Sequence, residues 1–173
     1  SPEFLIATGR SINKERMKDQ YVVLRAMAFL MLHRGEFKDI PALQYRGDID
    51  DFLARFMVYV NDNAPEKLIV DYENLFIRCM QISYDLLGEN GFRFSGNGIR
   101  RPINMPLFEA LSYLFSFVPE KIDYTWVSRL ILDIESVKEE FDDSRYFSGN
   151  IDSTTSVSFR FDRMDKIINR IQL

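Results

Sequence analysis

Apolar residues recur along this chain at helical spacing and scarcely anywhere at the alternating spacing of a strand. From about Glu15 to His33 the residues are good helix formers without Gly or Pro, followed by Gly35. Their apolar content runs nearly all round, which predicts a helix buried on most sides. Asp48 is placed to cap a second helix, whose Ile49, Phe52, Leu53, Phe56, Met57 and Val60 form a single stripe. A third opens after Pro65, carries Leu68, Tyr72, Leu75, Phe76, Cys79, Ile82 and Leu86 on one side, and stops at Gly88. Four glycines and an Asn-Gly pair between Gly88 and Pro102 forbid a continuous helix there, although Phe92 and Phe94 suit one short extended piece. Asn104 caps a fourth helix with Pro106 in its first turn and Leu107, Leu111, Leu114 and Phe115 facing inward; Pro119 ends it. A fifth begins near Asp123 with Val127, Leu130, Ile131, Ile134, Val137 and Phe141 on one face. After the polar segment from Ser148 to Ser156, a sixth holds Met164, Ile167, Ile168 and Ile171. The pattern predicts an all-α fold, a compact bundle of about six helices around a buried first helix.

Length turns that pattern into one domain, since 173 residues suffice for a single core and are few for two. The opening Ser1-Pro2-Glu3-Phe4 reads as a remnant of an expression vector, so residues 1–4 are set aside and 5–173 are expected to be one helical domain, a fragment of a longer protein. A net charge of −4 argues against a coat of basic charge for nonspecific nucleic-acid binding and leaves room for a local basic patch. The longest apolar run, Tyr21 to Leu32, contains Arg25 and falls short of the roughly 20 residues that span a bilayer. No membrane role is expected. One Cys and one His exclude an internal disulfide and an ordinary Cys/His zinc site, which fits a reducing, cytoplasmic setting.

Few residues suggest chemistry. His33 lacks a second histidine and sits near a helix C-terminus, where a positive charge is favourable in itself. Cys79 falls within an apolar stripe, as a small buried hydrophobe does. The carboxylates Glu135, Glu139, Glu140, Asp142 and Asp143 make a solvated face with no companion motif for a metal. Neither a catalytic residue, a metal nor a cofactor is assigned. Arg25 is more informative: a guanidinium inside an apolar helix needs a carboxylate or carbonyl partner, or a ligand. Arg93, Arg100 and Arg101 precede the helix capped by Asn104, an arrangement that suits phosphate or DNA, although no Walker loop accompanies it.

Three segments resemble one known family. Arg16-Met17-Lys18-Asp19-Gln20-Tyr21-Val22-Val23-Leu24-Arg25-Ala26-Met27-Ala28-Phe29 is similar to the "R-M-K-D-x-x-x-V-L-R-x-x-A-F" start of the helical C-terminal half of the family named for the N-terminal region of GmrSD restriction endonucleases. Gly47 to Met57 resembles its "G-x-x-x-x-F-L-x-x-F-M" helix, and Phe92-Arg93 with Asn104 to Leu111 its "F-R … N-x-x-L-F-E-A-L" segment. The resemblance implies a non-catalytic helical accessory domain of a bacterial modification-dependent restriction or phage-defence protein. Its partner would be a ParB-like domain carrying the Asp-Gly-Gln-Gln-Arg motif absent here, with Arg16, Lys18, Asp19 and Arg25 facing that domain. DNA is a further expected contact, through Arg93, Arg100 and Arg101. The rival expectation is a stand-alone protein interaction module with an aromatic-rich surface and no nucleic-acid role, drawn from 15 Phe, 8 Tyr and 1 Trp.

Overall fold

The stripes become seven α-helices among the residues that the computed structural model describes, 1–12, 17–95, 99–119, 124–144 and 146–171. They are α1 (Pro2–Ala7), α2 (Lys18–His33), α3 (Ile49–Asp62), α4 (Glu66–Leu87), α5 (Met105–Phe115), α6 (Tyr124–Asp142) and α7 (Thr154–Ile171), with short 3-10 turns at Pro41–Leu43 and Gly88–Asn90. No strand occurs among the described residues. None of their helices is long and apolar enough to cross a membrane.

Local chemistry sets the ends. The Asp48 carboxylate accepts from the Asp51 amide at 3.0 Å, and the Asn104 side-chain oxygen accepts from the Leu107 amide at 2.9 Å, each satisfying a donor that a helix start leaves orphaned. Gly88 leaves α4 at φ +60°, and Gly35 follows α2 at φ +86°, backbone that a side chain would strain. Residues 15 and 16, expected at the start of the first long helix, and Asp123, expected at the start of the fifth, lie outside the described residues.

Packing amends three expectations. The helix at the centre is α5, where every residue from Pro106 to Phe115 is buried under α2, α4 and α7. Helix α2 is buried all round only in its second half, at Ala28, Phe29, Leu30 and Met31, and its first half leaves Val23, Leu24 and Met27 partly open. Residues 1–4, set aside in the sequence reading, are part of the fold: Ser1 caps α1, and Phe4 is buried with its ring 6.0 Å from Phe108 and 6.3 Å from Phe76. Phe92 and Phe94 form a buried turn rather than an extended piece, with Phe92 4.4 Å from the Phe108 ring.

Candidate functional site

The buried charge of Arg25 has its partners inside the molecule. Its guanidinium lies 2.6 Å from Glu109 on α5 and 2.7 Å from Asp152 in the loop before α7. The other oxygen of Glu109 meets Arg160 of α7 at 3.1 Å, and Arg160 also donates to the Ile151 carbonyl at 2.5 Å. Burial works against the Arg25 charge, but Glu109 and Asp152 outweigh it and raise its pKa. For Glu109 burial is the larger influence and pushes the carboxyl up, with the two guanidiniums pulling the other way. Tyr45 donates to the Asp152 carbonyl and closes the cluster. These groups join α2, α5 and α7 across the core, so Arg25 is the partnered buried charge that its apolar setting called for, and its head does not face outward toward a companion domain. Glu109 and Arg160 were missed by the sequence reading. Their signal was the same as that of Arg25, a charge flanked by apolar neighbours at Phe108-Glu109-Ala110 and Phe159-Arg160-Phe161.

His33 stacks on Phe161 with ring centroids 3.5 Å apart, beside Tyr113. Burial, then the nearby Arg160 charge, pushes its pKa down to about 3. It is therefore a neutral packing residue at ordinary pH. Cys79 is buried, and burial pushes its thiol up to about 12, far from a reactive thiolate.

The arginine cluster does assemble, around a cleft of about 660 Å³ that Lys138, Glu89 and Glu135 also line. Its members have different roles. Arg93 is buried, and its guanidinium donates to the carbonyls of Glu89 (3.2 Å), Thr8 (3.1 Å) and Arg101 and to the Ser11 hydroxyl, tying α1 to the turn after α4. Asn104 is likewise committed, capping α5 and donating to the Phe147 carbonyl at 3.4 Å. Only Arg100 and Arg101 present themselves to solvent, each in an exposed ion pair, with Glu89 at 2.7 Å and with Asp142 respectively. Lys138 is held by Asn90 and Glu135. The acidic half of α6 is a partnered face: Glu140 pairs with Arg163 and Asp133 with Arg170. Carboxylates thus neighbour every cation of this cleft.

A second feature is larger and of another kind. A groove of about 840 Å³ opens between α1, α2, α3 and the first half of α4, lined by Tyr21, Leu24 and Met27 of α2, Met57 and Val60 of α3, and Ile69 of α4. Met17, at φ +56° before α2, is 65% exposed at its edge, and Met57 is 44% exposed. Lys18 and Asp19 line it too, whereas Arg16 lies outside the described residues. Along the α3 stripe, Phe52, Leu53 and Phe56 reach the core, Val60 packs against it partly buried, and Met57 is exposed.

No protein-family model, curated protein or solved structure matches this chain.

Proposed function

We propose that this chain is a non-catalytic helical accessory module of a bacterial modification-dependent restriction or phage-defence protein, acting in the cytoplasm, and that it works by packing on a ParB-like companion domain. The observation that carries the reading is where the groove lies. Two of the three segments that resemble the GmrSD-type family supply its walls: Met17, Lys18, Asp19 and Met27 from the first, Phe56 and Met57 from the second. The third segment supports them from below, since its Glu109 holds Arg25 of the first. An open apolar surface rimmed by polar groups is the mark of a docking site. Any positioning of DNA falls to Arg100 and Arg101, whose exposed pairs are weak enough to exchange a carboxylate for a phosphate.

The test is a titration of the chain with the ParB-like half of a GmrSD-type protein, followed by sedimentation velocity. A complex should form and be lost in Met57→Lys, a change at an exposed position. Failure of the native chain to form it overturns the reading and leaves the stand-alone interaction module in its place.

A further inference from the structure

Charges around the arginine cleft are sorted by depth. Arg93 and Lys138 are buried, at 4% and 5% exposure, whereas the side chains of Glu89 and Glu135 beside them are 54% and 43% exposed. The lining holds four cations, Arg93, Arg100, Arg101 and Lys138, against those two carboxylates. Asp142, the partner of Arg101, lies outside the lining and still leaves the balance positive. Positions 96–98, outside the described residues, are Gly, Asn and Gly and add no charge. Among the described residues Arg93 makes no ion pair. Glu89 neighbours it but reaches it with its carbonyl, and other carbonyls and the Ser11 hydroxyl meet the rest of the guanidinium. Burial, then the like charge of Arg100, lowers the Arg93 pKa, with Glu89 opposing less strongly. A buried guanidinium keeps its charge and calls for an anion. Donors remain to receive one: those bonds leave an N–H of Arg93 unspent, and Lys138 has another beyond its bonds to the Asn90 carbonyl and Glu135. Gly9 gives Arg100 its place beside them, since a Cβ there would collide with the Arg100 Nη2.

We propose that this cleft binds the phosphate monoester of a small molecule, which takes the place of the Glu89 carboxylate on Arg100 and supplies Arg93 and Lys138 with the anion that their surroundings lack. Glu89 is free to yield, because an exposed pair is weakly held. A monoester, with close to two negative charges, matches the positive surplus of the lining better than the single charge of a diester does. The cleft, of about 660 Å³, has room for a small molecule, and Leu87 and Ile99 offer apolar surface to its body. An extended nucleic acid would instead press further phosphates against Glu135, Glu139, Asp142 and Asp143. The assignment does not rest on the docking reading, since cleft and groove share no lining residue.

Isothermal titration calorimetry of the full chain with phenyl phosphate, with phenyl methyl phosphate and with a DNA duplex tests it. The monoester should bind, with the diester roughly tenfold weaker and a loss of similar size for the monoester in Arg100→Gln. Glu89→Gln and Glu135→Gln should each tighten monoester binding roughly threefold, an effect that a merely structural carboxylate would not give. Circular dichroism checks that these variants, all at exposed side chains, remain folded. Absence of monoester binding, equal binding of monoester and diester, an Arg100→Gln chain that binds as the native one does, or glutamate variants that fail to tighten binding each overturns the proposal. So does a duplex that binds through Arg100 while the monoester does not, which would give these arginines to a nucleic-acid backbone. Met57→Lys should leave monoester binding unchanged. Failure of the ParB-like half to bind, with monoester binding intact, removes the docking reading alone, and the reverse result removes this assignment alone.

Discussion

At the scale of residues, two buried groups make the strongest demands on the fold. Arg25 and Arg160 share the Glu109 carboxylate, so removing either takes away one of its two charge partners and leaves a buried oxygen without its hydrogen bond. Arg25→Ala should destabilise the chain by about 3 to 5 kcal/mol, read from the denaturant midpoint. A change under about 1 kcal/mol would mean that the pair contributes no more than a surface one. His33 gives a pH dependence with a definite sign. Its pKa falls from the usual 6.5 to about 3 on folding, so below pH 6.5 the unfolded chain takes up a proton that the folded chain refuses. Its contribution to stability should be complete above that pH and decline as pH falls toward 3. Comparing unfolding curves of the native chain and His33→Gln across pH 3–7 isolates this term, and parallel curves would refute it.

Elements differ in how their arginines are used, although the sequence lines them up alike. Arg93 joins α1 to the turn after α4 through three carbonyls and a hydroxyl, whereas Arg100 and Arg101 make exposed pairs. Arg93→Ala should therefore lower stability by about 2 kcal/mol or more, with several buried carbonyls left unsatisfied. Arg100→Gln and Arg101→Gln should each change it by less than about 1 kcal/mol. A thermal melt ordering the three the other way round would show that Arg93 reaches solvent. The helices themselves were readable from the sequence: the Asp48, Asn104 and Gly88 signals act within one turn of chain, and the structure uses all three. Helix α1 was not, because its case rests on Phe4 meeting Phe76 and Phe108, residues far along the chain.

For the whole molecule, that contact decides whether the first residues matter. Phe4→Ala should cost about 3 to 5 kcal/mol, the range for emptying an aromatic site in a core. A chemical denaturation series measures it, and a loss below about 1 kcal/mol would make α1 an ornament on a fold complete without it. The same scale explains which helix lies at the centre. Both α2 and α5 are rich in apolar residues, but α5 is short and followed by Pro119, so three longer helices enclose it, while α2 is left with one flank open. That open flank is the groove.

What the sequence by itself determined was the helical class, the caps, and the fact that Arg25 must have a partner. Those follow from spacing within a few turns and from the expense of burying a charge alone. Only the tertiary structure decided that Glu109 and Asp152 are the partners, that Arg93 turns inward while Arg100 and Arg101 stay out, and that Met57 ends on a surface. An apolar stripe states that a helix face must leave water. Whether this molecule covers it or leaves it for another depends on where distant helices end, which is set by the packing of the whole chain.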